Sequence, residues 1–231
     1  MAGLRQRRQA PATGGFAPGL LVPAGAPGWT PASALLAGGF LDELLVAAKQ
    51  RWNAPPPAAA ALAWRSYTYW LALPAVLGWA TNRRVPLLTP DDVLVQITHR
   101  RDQPLVTIGL RRLRLAAGPE PDLLRQLRAS LRDAHLDPLL AQLQTRVNLG
   151  TRTLLGSLAS AVAYGAVRGV EAPPAEIIAT AGTLLSALGV SELVHLEPGP
   201  DGVAVQRRTC CLAFTLPEPK VCSGCCLRFP R

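Results

Sequence analysis

The chain has 231 residues, of which 49% are hydrophobic and 17% are charged, and its formal net charge is +9. This composition excludes a wholly disordered protein, and the length allows one domain with an appended segment or at most two domains. The positive charge comes from arginines spread along the chain, which favours an anionic partner, and peripheral association with an acidic membrane surface fits it. No basic run is interleaved with aromatic residues, so we predict no nucleic-acid partner.

The first 29 residues are rich in Ala, Pro and Gly and have no periodic apolar face, which predicts a flexible leader. Arg7 and Arg8 are not followed by the hydrophobic stretch that an export signal needs. The longest uncharged span, residues 66–82, contains Pro74 and is shorter than the roughly 20 residues of a membrane helix. We therefore predict a cytoplasmic protein, whose thiols stay reduced.

Residues 30–200 are predicted to form a mainly helical α+β domain. Helices are expected at about residues 30–52, 58–81, 121–134, 137–147, 152–167 and 174–188. Gly38 and Gly39 weaken the first of these helices, and Pro74 should kink the second. The second helix therefore remains a single predicted element, with a bend near its middle.

An aromatic stripe runs along the second predicted helix. Trp64, Tyr67 and Trp70 recur at helical spacing, which is most typical of a face packed in the core. A cleft that binds a ligand is the alternative interpretation of the same three residues.

Short runs rich in β-branched residues predict the strands. Residues 92–97 and 105–110 indicate a hairpin, which "RRLRL" at residues 111–115 could extend. Residues 192–210 indicate two more strands about a Pro-Gly-Pro-Asp-Gly turn. These strands lead into a C-terminal segment, residues 201–231, that contains every cysteine of the chain.

Several sequence motifs of familiar enzymes are missing. No Gly-rich turn between a strand and a helix indicates a dinucleotide site, and "GTRTLLGS" at residues 150–157 lacks the glycine spacing and the lysine of a phosphate loop. His99, His135 and His195 lie far apart in sequence, and we expect each to be a surface or structural residue.

The cysteines follow one pattern within 17 residues: Cys210 and Cys211, ten other residues, Cys222, two residues, Cys225, and then Cys226. Soft thiolates select zinc, copper(I) or iron–sulfur. Adjacent cysteines make a poor zinc knuckle, and they reach one centre only if the backbone bends there. The spacing favours a [2Fe–2S] cluster, with structural zinc and a thiol redox site as the alternatives.

The stretches "RRTCCLAF" and "VCSGCCLR" resemble the C-terminal tail of FhuF-type siderophore-iron reductases, in particular the actinobacterial type, and residues 135–163 are similar to helices of that family. The resemblance implies that Cys210, Cys211, Cys222 and Cys225 bind one [2Fe–2S] cluster. Cys226 departs from the family pattern, and it is either an inert neighbour or a substitute ligand.

The same resemblance implies a function. The chain would reduce Fe(III)-siderophores by one electron and release Fe(II), with no catalytic residue beyond the cluster. Since no dinucleotide motif is visible, a separate donor of the ferredoxin or flavoprotein type would supply the electron. Arg207, Arg208 and Arg228 are expected either to favour the reduced cluster or to serve solubility alone. The alternatives are an iron–sulfur carrier or sensor without turnover, and a zinc-stapled structural or interaction protein.

Overall fold

The structure is a computed structural model that describes residues 20–228. It confirms the predicted α+β, mainly helical class. In chain order the α-helices of the described residues are α1 Ser33–Ala37, α2 Gly39–Trp52, α3 Pro56–Asn82, α4 Glu120–Leu127, α5 Asp137–Gln144, α6 Thr151–Gly169 and α7 Pro174–Ala187. The strands of the same part of the chain are β1 Thr30–Pro31, β2 Val93–Ile97, β3 Val106–Leu110, β4 Val194–Gly199 and β5 Gly202–Arg207.

The helices differ from the predicted ones at two breaks. Gly38 has a positive φ of 110°, which separates α1 from α2 within the first predicted helix. The predicted break near residue 135 is absent, because the π-helix Arg128–Leu136 connects α4 directly to α5. Pro74 lies inside α3, which continues beyond it for two more turns to Asn82.

The core is centred on α3, which packs against α6. Small residues let these two helices approach: a Cβ added at Gly165 of α6 would lie 3.5 Å from the side chains of Leu73 and Val76 on α3. Trp64 and Tyr67 are buried in this core, as the aromatic periodicity predicts. The C-terminal segment joins the same core through Ala213 and Leu216.

The strands form two antiparallel sheets, in the order β1-β2-β3 and β4-β5. Both predicted hairpins are confirmed, with Val95 opposite Ile108 in the first hairpin. The stretch 111–115 does not extend β3, and contributes an isolated bridge from Leu115 to Pro86 instead.

Part of the predicted leader is ordered against the first sheet. The backbone N–H of Val22 donates to the carbonyl of Leu110 at 2.9 Å, and the N–H of Leu110 donates to the carbonyl of Leu20 at 2.7 Å. Residues 20–22 therefore belong to the folded domain, in contrast to the predicted boundary at residue 29. The remaining predicted leader, residues 1–19, lies outside the described residues.

A buried carboxylate closes the turn before β2. Asp92 is fully buried and accepts hydrogen bonds from Arg112 and Arg114 and, at 3.1 Å, from the Thr89 hydroxyl. Burial opposes ionisation of Asp92, but these donors outweigh it and lower its pKa. We call these four residues the carboxylate cluster.

A second buried polar pair joins α3 to the π-helix. The Tyr67 hydroxyl lies 2.6 Å from Nε2 of His135, and Nδ1 of His135 lies 2.7 Å from the carbonyl oxygen of Leu88. That carbonyl can only accept, so Nδ1 carries the proton and Nε2 accepts from Tyr67. His135 is thus the structural residue that the sequence predicts.

Among the described residues, none of the helices has both the length and the apolar character needed to cross a membrane.

Candidate functional site

The first pair of cysteines is placed by a close approach to α6. Thr209 precedes them and packs on Gly156, where an added Cβ would overlap the threonine side chain. Leu212 follows them in the left-handed region, with φ 59°, and its N–H donates to Cys210 Sγ at 3.3 Å. The backbone therefore turns directly after Cys211, which is the bend that two adjacent cysteines need to face one site.

The second group of cysteines is held on β5 by a glycine. The Gly224 carbonyl accepts a 2.9 Å hydrogen bond from the N–H of Arg207, while the N–H of Cys225 donates to the carbonyl of Cys222 at 3.1 Å. A Cβ at position 224 would overlap the Val205 carbonyl oxygen and lie 2.6 Å from the Tyr164 hydroxyl. Only glycine fits here, so the Cys-x-x-Cys turn is fixed against the strand that leads to Cys210.

These two anchors bring all five thiols together, and we call the group of Cys210, Cys211, Cys222, Cys225 and Cys226 the thiol site. The Cys222 thiol lies close enough to Cys211 for its proton to shift the pKa of both thiols, and Cys226 lies in the same relation to Cys210. Cys225 interacts electrostatically with both Cys222 and Cys226. Cys211 and Cys225 are buried, and the other three thiols are half-buried.

The thiols differ in how easily they lose a proton. The hydrogen bond from Cys222 lowers the pKa of Cys211 to about 4 despite its burial, with help from the backbone of Ala213 and from Arg207 and Arg65. The pKa of Cys222 is raised by the same shared proton and by burial. Burial also raises the pKa of Cys226, together with the charges of Cys210 and Cys225.

The thiols meet as pairs and not around one point. Over residues 20–228, no three His, Cys, Asp or Glu side chains form a group that could hold a single metal ion. The four predicted ligands nevertheless lie in one site, and Cys226 lies there with them. The predicted ligand role of these cysteines stays a prediction, and the contact of Cys210 with Cys226 has no signal in the spacing.

Two arginines stand beside the thiol site. Nη1 of Arg65, on α3, lies 3.8 Å from Cys211 Sγ. Arg207 is only 3% exposed, and its Nε and Nη2 have no hydrogen-bond partner in the structure. Its charge favours the thiolate forms of Cys211 and Cys222. Arg207 is one of the arginines that the sequence places near the cysteines. Arg65 has no such signal, because 146 residues separate it from Cys211.

A cavity of about 480 Å³ adjoins the thiol site, with Cys222 and Ser223 in its wall. Small and aliphatic residues such as Ser157 and Leu216 form part of its other walls. The aromatic and cationic side chains that line it are Trp52, Tyr69, Trp70, Tyr164, Arg65, Arg168, Arg207 and Lys220. Trp70 is the member of the predicted aromatic stripe that faces this cavity; its two companions face the core. A molecule in the cavity would therefore lie next to a thiol of the site.

No protein-family model matches the sequence, and the search of curated proteins found no match. The resemblance to FhuF-type reductases accordingly stays a prediction that rests on the cysteine spacing.

Proposed function

We propose that the protein is a ferric-siderophore reductase that binds one [2Fe–2S] cluster through Cys210, Cys211, Cys222 and Cys225, and that it releases Fe(II) in the cytoplasm. The observation that carries the proposal is the position of Cys222, which belongs to the thiol site and also lines the adjoining cavity. Cys222 would therefore bind the cluster and also contact the ferric siderophore that takes the electron from it.

The donor set supports a two-iron cluster. A [2Fe–2S] cluster takes four thiolates, two on each iron. The chain supplies this number from one short segment, and its thiols lie in contacting pairs, Cys211 with Cys222 and Cys210 with Cys226. Cys225, which the family pattern makes the fourth ligand, lies beside Cys222 and Cys226. When bound, such a cluster supplies a single electron.

The surrounding residues suit this chemistry. Arg65 and Arg207 place positive charge beside the thiolates, and this charge stabilises added negative charge in a partly buried site. The burial of Cys211 and Cys225 limits the access of water to the sulfurs. The cavity would hold the ferric chelate against Cys222, so that the electron crosses a short distance.

One electron is sufficient to release iron from a siderophore. Hard oxygen donors hold Fe(III) tightly, and they hold the softer, less charged Fe(II) weakly. The chain carries no motif for a dinucleotide. We therefore propose that a separate ferredoxin or flavoprotein reduces the protein between turnovers.

Anaerobically purified protein tests the proposal, and it should contain about two irons and two sulfides per chain. After chemical reduction, mixing with ferric siderophores in a stopped-flow instrument should restore the oxidised absorbance, and Fe(II) should appear in a ferrous trap. NADPH alone should not reduce the protein. The Cys222→Ser variant is the control and should show neither signal.

Three results would contradict the proposal. Stoichiometric zinc without sulfide would indicate the zinc-stapled protein. An iron–sulfur protein that no ferric siderophore reoxidises would be a carrier or a sensor. Equal rates for the native chain and the Cys222→Ser variant would place the reduction outside the thiol site.

A further inference from the structure

The cavity beside the thiol site has a one-sided charge. Arg65, Arg168, Arg207 and Lys220 line it, and no Asp or Glu occurs among its lining residues in the described part of the chain. Four cations around a volume of about 480 Å³ raise the local concentration of anions and repel cations. The cavity is therefore selective for charge before any specific contact is made.

The environment of Arg207 is a second, independent indication that the cavity binds an anion. Its side chain is buried, and its Nε and Nη2 lack hydrogen-bond partners within the described structure. A buried guanidinium with two nitrogens lacking hydrogen bonds is costly unless an anion compensates its charge. The thiolates can take part of this role. Arg168 and Lys220, for which no thiol contact is found in the described part of the chain, add further positive charge to the cavity wall.

Aromatic residues form another part of the wall, beside small and aliphatic residues such as Ser157 and Leu216. Tyr69 and Trp70 stand edge to face, with ring centroids 5.2 Å apart, and the Arg168 guanidinium lies 5.0 Å from the Tyr164 ring centroid. Trp52, at the end of α2, completes this side. Flat aromatic and guanidinium faces offer stacking to planar rings, which the flexible aliphatic chains of a hydroxamate do not use.

We infer that the cavity selects anionic ferric chelates with aromatic donors, of the catecholate type, over neutral or cationic hydroxamate chelates. The inference rests on the proposed function for the choice of a ferric chelate as the ligand. The cations would contact the negatively charged catecholate oxygens, and the aromatic residues would contact the rings. Binding of this kind places the iron centre near Cys222.

Gallium(III) complexes test the inference without electron transfer, because Ga(III) copies the charge and size of Fe(III) but is not reduced. The probes are the gallium complexes of a tris-catecholate, of citrate, and of a linear tris-hydroxamate with a cationic tail. Binding to the purified full chain is measured by calorimetry and by quenching of tryptophan fluorescence. The catecholate complex should bind at least about tenfold more tightly than the hydroxamate complex, and added salt should reduce this difference.

The citrate complex separates charge from aromaticity, since it is anionic without rings. If the affinity for the citrate complex lies between the affinities for the other two complexes, the cations and the aromatic residues both contribute to binding. Citrate affinity equal to that of the catecholate would overturn the aromatic part of the inference. Binding of the hydroxamate complex that is as tight as that of the catecholate complex, or tighter, would overturn the whole inference. NADPH and FMN, which are also anionic and aromatic, serve as competitors, and tighter binding of either one would make the cavity a nucleotide site.

Variants locate the binding. Lys220→Gln and Arg168→Gln alter exposed side chains, and each should weaken the catecholate complex by about threefold to tenfold. Arg84→Gln removes the same charge from an exposed residue at the end of α3, outside the cavity wall, and should leave the affinity unchanged. An equal loss of affinity in all three variants would mean that only the net charge of the protein matters, and it would overturn the cavity as the binding site.

The two proposals fail separately. Reoxidation of the reduced protein by ferric hydroxamates, without binding of the gallium catecholate, would overturn this inference and leave the reductase intact. Binding of the gallium catecholate without reoxidation by any ferric siderophore would support the cavity as a binding site and overturn the reductase.

Discussion

Two charged groups lie in the interior of this protein in opposite circumstances. In the carboxylate cluster, Asp92 is fully buried and Arg112 donates to it at 2.9 Å. Beside the thiol site, Arg207 is almost as deeply buried, but its Nε and Nη2 have no hydrogen-bond partner among residues 20–228. The fold satisfies the first charge with hydrogen bonds from its own residues, whereas two nitrogens of the second group lack hydrogen bonds within the described residues.

The difference separates a structural charge from a functional one. A carboxylate that accepts hydrogen bonds from Arg112, Arg114 and Thr89 ties the turn before β2 to the residues after β3, and it needs nothing from outside the chain. A guanidinium that faces thiols and a cavity is compensated by the thiolates and by an anion that binds in the cavity. Substitutions at the two places should therefore change different properties.

The largest expected effect is at the thiol site. Cys210→Ser, Cys211→Ser and Cys222→Ser should each remove nearly all iron from the purified protein, because an alkoxide does not replace a soft thiolate ligand. Iron and sulfide analysis measures this loss. Circular dichroism of the same samples should show an unchanged helical signal.

The neighbouring pair Cys225 and Cys226 tests the fourth ligand. The family pattern assigns this role to Cys225, so Cys225→Ser should lose iron and Cys226→Ser should retain it. The contact between Cys210 and Cys226 makes the comparison informative. Loss of iron in Cys226→Ser alone would move the fourth ligand to Cys226.

The next effect concerns stability and compares the two buried charges directly. Asp92→Asn should lower the free energy of unfolding by about 2–4 kcal/mol, because it weakens the charged hydrogen bonds from two arginines. Arg207→Met should change it by less than about 1 kcal/mol in iron-free protein, since no hydrogen bond from Nε or Nη2 is lost. Urea unfolding of the iron-free proteins measures both values. An equal cost at Arg207 would show that its charge has a partner within the chain.

The pH dependence of stability tests the other satisfied site, the Tyr67–His135 pair. Burial lowers the pKa of His135 from 6.5 to about 4. The unfolded chain therefore binds more protons than the folded chain between these values, and the stability is lost as the pH falls through this window. We expect a loss of about 2 kcal/mol between roughly pH 7 and pH 5 from this residue. Urea unfolding at both pH values measures it, and His135→Gln should remove most of the difference.

The sequence predicted the features whose causes are local. Runs of β-branched residues such as residues 105–110 identify strands, and the cysteine spacing identifies the thiol site, because both patterns lie within one short segment. Adjacent cysteines need a backbone bend to reach one centre, and the left-handed Leu212 turns the backbone directly after Cys211.

The features that could not be predicted depend on distant contacts. Arg65 reaches Cys211 only because α3 packs on α6 and on the C-terminal segment. Gly156 lies in a stretch that resembles a poor phosphate loop, yet its role is to admit Thr209, 53 positions later in the chain. The ordering of residues 20–22 likewise depends on hydrogen bonds to β3, and their own composition does not indicate it.

The smallest expected effect concerns the reduction potential and completes the comparison. If a cluster at the thiol site gains negative charge on reduction, the buried charge of Arg207 stabilises the reduced form. Arg207→Met should then lower the midpoint potential by on the order of 60 mV, which is a tenfold change for a one-electron couple. Asp92→Asn should leave the potential unchanged, because the carboxylate cluster is absent from the walls of the cavity and from the charges that act on the thiols. Spectroscopic titration against redox dyes measures both variants, with Arg207→Lys as the variant that keeps the charge. A potential that responds equally to Asp92→Asn and to Arg207→Met would mean that the two buried charges act on the site only through the net charge of the protein.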